Sequence, residues 1–264
     1  MSQSQFETLL GMELHYKVQG EGQPLLLLHG WGGQADSFLP VANHYAATRR
    51  VYSLDFPGMG GKSPAPSVPW SVTEYTDLVA EWMRRMNLTH CDVMGHSFGG
   101  RVGILLAATH PELVGKLILV DAAGIIPKRG MKYYVKVYSY KAMKRIARIG
   151  WLRKLLRAMG LDLEERIRRR AGSSDYQGAP DAMRATFVRV VNQNLRPYLK
   201  DIQAPTLCIY GADDQDTPVS FGQIMEKEIP DAGLVVLQQA GHFSYLDQFP
   251  QFIRITDAFL GGNA

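Results

Sequence analysis

Two runs in the chain, Leu25-Leu26-Leu27-Leu28 and Leu117-Ile118-Leu119-Val120, are apolar at every position. A strand with one wet face alternates apolar and polar residues, whereas a strand covered on both faces has no reason to. Runs this short, bounded by turn residues, read as buried strands rather than helices. They predict the middle of a sheet with helices on both sides, which means a mainly parallel α/β fold. The remaining pattern agrees. Strands are predicted at 7–10, 13–18, 25–29, 51–55, 92–95, 117–121, 207–210 and 234–237, eight in all. Helical spacing separates them near 37–47, 72–86, 99–110, 219–229 and 249–260. Ser71 with Glu74 three residues on is a capping-box signature for the second of these helices.

From 125 to 197 the alternation stops, and apolar residues recur at helical spacing: Met143, Ile146, Ile149, Leu152, Leu155, Leu156, Met159. A helical insertion at 125–197 is therefore expected between two parts of one core, 1–124 and 198–264. Residues 127–170 hold 15 Lys and Arg against 3 Asp and Glu, while the rest of the chain carries a net −8. The overall charge of +4 thus conceals one basic segment in an acidic chain. With 46% hydrophobic and 20% charged residues the composition is that of a globular chain, not a disordered one. No apolar run approaches the ~20 residues a bilayer span requires, and no signal peptide is visible at Met1-Ser2-Gln3-Ser4-Gln5. Cys91 and Cys208 both fall in apolar strand-like runs and read as free core thiols. These features lead us to expect a soluble, cytoplasmic protein.

The chemistry concentrates at Gly95-His96-Ser97-Phe98-Gly99, directly after a predicted strand and before a predicted helix. A serine in that turn stands above the sheet, beside a helix N-terminus whose N–H groups favour negative charge. Neighbouring glycines relieve the crowding such a turn creates. A serine needs a base, and His242 is the best placed of seven histidines, at a strand-to-loop junction in Gly241-His242-Phe243. His15, His44, His90 and His110 show no partner logic; His29 and His96 read as fixing loop geometry. A carboxylate should follow the serine and precede the histidine, and Asp213, Asp214 and Asp216 all qualify, with Asp121 a further alternative.

On these residues the chain resembles the α/β-hydrolase family over nearly its whole length. The family's Gly-x-x-Asp-x-x-x-Pro loop matches Gly211 to Pro218, and the match selects Asp214. His29-Gly30-Trp31 resembles the family's His-Gly-x turn, which implies an oxyanion hole from the backbone N–H groups of Trp31 and Phe98. The stretch from Asp55 to Ser63 resembles the loop after the fourth strand with one extra glycine, and Asp247 and Pro250 stand slightly shifted from the family's Glu and Pro. The insertion matches the position of a helical cap. The resemblance implies a serine hydrolase acting on small-molecule carboxylic esters, with Ser97, His242 and Asp214 as its triad. A carbon–carbon bond hydrolase of dienoic ketoacids and a ligand-binding receptor on the same fold are the competing expectations. A nucleophilic serine argues against epoxide hydrolases and haloalkane dehalogenases, which use a carboxylate.

Two decoys fail. Gly61-Lys62-Ser63 needs a glycine where Phe56 stands to be a phosphate loop, and Gly58-Met59-Gly60 needs one where Ser63 stands to be a dinucleotide fingerprint. Neither a cofactor nor a metal is expected, since no His, Glu or Cys cluster has ligand spacing. No nucleic-acid motif is present. The basic segment is expected to associate weakly, at most, with anionic membrane surfaces.

Overall fold

The computed structural model describes residues 2–126, 138 and 178–261. The chain divides into two units, one of Met1–Ile126 with Pro180–Ala264 and one of Pro127–Ala179. The helical stripe expected from Met143 to Met159 and the basic segment fall outside the described residues, apart from Tyr138. Every element below belongs to the first unit.

Its centre is an eight-stranded sheet in the order β1-β2-β4-β3-β5-β6-β7-β8. The strands are β1 (Gln3–Leu9), β2 (Met12–Gln19), β3 (Gln23–Leu28), β4 (Arg49–Leu54), β5 (Cys91–His96), β6 (Val114–Val120), β7 (Thr206–Gly211) and β8 (Ala232–Leu237). Pairings β1–β2 and β2–β4 are antiparallel and the remaining five are parallel. The helices are α1 (Leu39–Tyr45), α2 (Val72–Arg85), α3 (Phe98–Thr109), α4 (Asp181–Asn192), α5 (Val219–Glu228), α6 (Ser244–Asp247) and α7 (Phe249–Leu260).

The all-apolar runs have a direct explanation. Leu26 and Leu28 of β3, with Leu117 and Leu119 of β6, point into a core shared with α2 and α3. Their neighbours Leu25, Leu27, Ile118 and Val120 point the other way, into a core shared with α1 and α7. Alternate side chains leave opposite faces of a strand, so covering both faces requires every position to be apolar. The order also reverses at β3: the chain goes out to β4 and returns to β5. Open α/β sheets form their sites at the carboxyl ends of strands beside such a reversal, and Ser97 follows β5 there.

Each expected strand is found, with ends moved by a few residues. The largest extension is β1, which begins at Gln3 on the sheet edge, where most of its residues are exposed and hydrophobic alternation is weak. Helix α2 begins at the expected box, with the Ser71 N–H donating to Glu74 Oε2 at 2.7 Å. Cys91 and Cys208 are buried free thiols, and burial pushes Cys208 up to about 12. Helix α4, inside the stretch expected to be an insertion, is fastened to α3 by Arg101. That buried guanidinium donates to the carbonyls of Val190 at 3.2 Å and Gln193 at 3.1 Å. Among the described residues no helix is long and apolar enough to cross a membrane.

Candidate active site

β5 ends at His96 and α3 begins at Phe98, so Ser97 alone makes the turn between them. Its backbone sits at φ 50°, ψ −106°, a conformation that costs a non-glycine residue on the order of 1–3 kcal/mol. Backbone hydrogen bonds hold it there. The Ser97 N–H donates to Val120 O at 3.0 Å, and the Ser97 carbonyl accepts from Ala123 at 3.1 Å. The turn also forces close approach. A Cβ on Gly99 would lie 2.0 Å from the Leu28 carbonyl oxygen, and one on Gly95 2.4 Å from the Gly99 oxygen. Both partners are backbone and have nowhere to go. Gly99→Ala is therefore expected to cost at least the ~1–3 kcal/mol of an overpacked core site, measured as a shift in the urea midpoint. An unchanged midpoint would contradict this packing.

The turn delivers Ser97 Oγ to within 3.1 Å of His242 Nε2. On the other side of the ring, His242 Nδ1 lies 2.8 Å from Asp214 Oδ2. An ionised carboxylate can only accept, so the ring proton sits on Nδ1 and leaves Nε2 free to accept from the serine hydroxyl. Asp214 is itself held on every side. Its Oδ1 accepts the N–H groups of Asp216 at 2.8 Å and Thr217 at 3.0 Å, and its Oδ2 takes the Thr217 hydroxyl at 2.7 Å. Burial opposes charge on Asp214, but the hydrogen bonds from His242 and Thr217 outweigh it and hold its pKa below the usual value. Burial likewise opposes the imidazolium of His242. The Asp214 hydrogen bond and charge, helped by Asp121 and Asp216, prevail and raise it.

Asp121 lies nearby, with both carboxylate oxygens engaged by backbone N–H groups. Its Oδ1 accepts the Gly211 N–H at 2.8 Å and its Oδ2 the Ser244 N–H at 3.0 Å, so it ties the end of β7 to the loop carrying His242. Burial is the main cause that lifts its pKa to about 7, against those hydrogen bonds. His96 fastens the same loop by donating from Nε2 to the His242 carbonyl at 2.7 Å. Burial drives its pKa down to about 3, so it stays neutral. His29 fixes the neighbouring turn, with Nδ1 donating to Gly30 O at 2.7 Å and Nε2 accepting the Phe56 N–H at 3.1 Å.

The turn after β3 passes close over the serine: a Cβ on Gly30 would lie 2.7 Å from His96 Nδ1 and 3.4 Å from Ser97 Cβ. The backbone N–H groups of Trp31 and Phe98 donate to no described residue. The two side chains meet edge to face at 5.5 Å, and Phe187 of α4 packs on Trp31 at 5.0 Å.

Of the five residues expected from sequence, Ser97, His242 and Asp214 stand in one hydrogen-bonded series, and Phe98, next to Ser97 in the chain, packs its ring on Trp31. Asp213 and Asp216, the rival carboxylates, are exposed. Thr217, whose hydroxyl also lies 2.9 Å from Asp121 O and 3.2 Å from His242 Nδ1, was not anticipated; its place between Asp214 and Pro218 was the available signal. Three ligand-type groups, Asp214, Asp216 and His242, have atoms within 4.8 Å of one another. The grouping arises from the carboxylate–imidazole pair itself, whose facing atoms already bond each other.

Comparison with known proteins gives the class. The model of the alpha/beta hydrolase fold matches residues 23–249, so the chain belongs to that family. A pimeloyl-[acyl-carrier protein] methyl ester esterase of Aeromonas hydrophila is 28% identical over 261 residues, covering 92% of this chain and 97% of that protein. A 2-hydroxy-6-oxo-6-(2'-aminophenyl)hexa-2,4-dienoic acid hydrolase of Metapseudomonas resinovorans is 26% identical over 279 residues, covering 96% and 89%. The crystal structure of a bacterial membrane phospholipase A superposes with a TM-score of 0.77 at 24% identity, covering 100% of this chain and 87% of that one. This last likeness is one of fold.

Proposed function

We propose that the protein is a serine hydrolase that cleaves small carboxylic esters through an acyl-enzyme. The observation that carries this reading is the unbroken chain Ser97 Oγ–His242–Asp214, at 3.1 and 2.8 Å. Ser97 Oγ attacks the ester carbonyl while His242 Nε2 takes its proton. The tetrahedral oxyanion is received by the N–H groups of Trp31 and Phe98, each worth ~3–4 kcal/mol in such a hole. As the intermediate collapses, the imidazolium protonates the departing alkoxide and the acyl group stays on Ser97. Water, deprotonated by His242, then releases the acid. Asp214 holds the ring tautomer and stabilises its charged form throughout.

A series of p-nitrophenyl esters of increasing chain length tests the reading. A burst of nitrophenolate equal to the enzyme concentration is expected, followed by slower steady turnover. Neither a burst nor steady turnover with any chain length, on a protein shown to be folded, would overturn it and favour a receptor. The rate should also fall as pH drops and His242 becomes protonated. Because Asp214 raises this histidine, the acid limb of kcat/KM should lie above the ordinary value of about 6.5. A limb below that value would contradict the geometry.

One observation favours a second reading. The Metapseudomonas relative, named for carbon–carbon cleavage, covers 96% of this chain. Loss of the dienoate chromophore on mixing with 2-hydroxy-6-oxohexa-2,4-dienoates, without turnover of simple esters, would select it. The basic segment 127–170 carries a further proposal, weak association with anionic lipid. Co-sedimentation with anionic vesicles is expected at 0.01 M salt, weakening at 0.15 M as the Debye length shortens from ~30 to ~8 Å. Absence of binding at low salt would leave those charges merely solvated.

A further inference from the structure

A second Ser–His–Asp relay runs from the edge strand β1 through β2 to the residue after β4, and shares no residue with the relay of Ser97. Ser4 Oγ on the edge strand β1 is 2.9 Å from His15 Nε2, and His15 Nδ1 is 2.6 Å from Asp55 Oδ2. The connectivity repeats that around His242. The carboxylate can only accept, which puts the ring proton on Nδ1 and turns the Nε2 lone pair toward the serine hydroxyl. The base and carboxylate are firmly built. His15 is 0% and Asp55 2% exposed. The Ser63 hydroxyl accepts the His15 N–H at 2.9 Å while donating to the Asp55 carbonyl at 2.9 Å. The second Asp55 oxygen takes the Ala35 N–H. A Cβ on Gly60 would lie 2.7 Å from Asp55 Oδ1, so the glycine-rich loop from Asp55 to Ser63 is shaped around this carboxylate. Ser4, by contrast, is exposed, and Phe6 beside it is 52% exposed with its ring 4.9 Å from that of His15.

From this arrangement we propose that Ser4, His15 and Asp55 form a second nucleophilic site, at which Ser4 accepts the acyl group of small activated esters. In that step a bond forms from Ser4 Oγ to the carbonyl carbon. The bond from that carbon to the aryloxide breaks, and the serine proton passes to His15 Nε2. Asp55 stabilises the resulting imidazolium. Ser4 stands within an edge strand, and among the described residues no helix begins beside it as α3 begins beside Ser97, so the site is slower than Ser97. The expected deficit is at least the ~10²–10³ of a missing oxyanion donor. The exposed setting admits unhindered acyl groups, and Phe6 offers an apolar ring for the aryl leaving group.

The test uses the full chain carrying Ser97→Ala, treated with p-nitrophenyl acetate and, in parallel, with a fluorophosphonate. The tryptic peptide 1–17 contains both Ser2 and Ser4, and Ser2, also exposed, serves as an internal control. We expect adduct at Ser4 at least tenfold above that at Ser2. Adduct at Ser4 no greater than at Ser2 would overturn the proposal without any further variant. His15→Gln, which keeps a donor for Asp55 but offers no base, should bring Ser4 down to the level of Ser2. If it stays folded by circular dichroism and Ser4 labelling is undiminished, the relay is not the cause and the proposal fails.

Discussion

Replacing Ser97 with alanine is expected to remove the ester turnover that passes through the Ser97–His242–Asp214 relay while leaving the fold intact. In a relay of this kind the loss of the nucleophile costs on the order of 10⁶ in rate. Ser97 is the hydroxyl that meets His242 Nε2, at 3.1 Å. Its backbone stands at φ 50°, supported by Val120 and Ala123, and alanine fits the same space. Stability should therefore hardly change. Steady-state turnover of p-nitrophenyl esters, alongside a thermal melt, checks both halves. Turnover above about 1% of the parent would contradict the assignment, and Ser4 could account for it only if the Ser97→Ala, Ser4→Ala double variant lost it.

Asp214→Asn should be nearly as damaging, with a loss of roughly 10⁴, because the amide holds the imidazole in the wrong tautomer. With its NH₂ group toward Nδ1, asparagine stabilises the ring with its proton on Nε2, and that nitrogen can no longer accept from Ser97. Asp121→Asn makes the necessary contrast. Asp121 receives two backbone N–H groups, from Gly211 and Ser244, and an amide can accept only one of them on its oxygen. Stability should fall by about 1–3 kcal/mol for the donor left unpaired, while most activity survives. The opposite pattern, a dead Asp121→Asn beside an active Asp214→Asn, would move the acid to the end of β6.

These contrasts show what the sequence revealed and what it hid. Strands β3 and β6 were legible because both of their faces are buried, which leaves an unbroken apolar signature. The serine turn was legible for a related reason: Gly95 and Gly99 face backbone atoms at distances that no Cβ tolerates. What remained hidden depends on contacts between distant segments. His15 showed no partner logic, yet it bonds Asp55, forty residues away. His44 pairs with Asp257, and His110 with Arg84. Asp121 could be read as a rival acid until its oxygens were seen to be occupied by Gly211 and Ser244. Helix α6, four residues long, is too short to display a period. A local pattern records which face of an element is covered; it does not record which charged atom waits across the gap.

The most direct measurement is the site of covalent capture in the unmodified protein. After brief treatment with a fluorophosphonate, tryptic digestion yields the peptide 86–101, in which Ser97 is the sole serine. The account predicts one adduct per chain on that peptide, accumulating in step with the loss of ester turnover. His242→Ala should abolish its rapid formation. Turnover that persists with Ser97 fully modified, or inactivation with the adduct on another residue, would contradict the claim that Ser97 is the nucleophile.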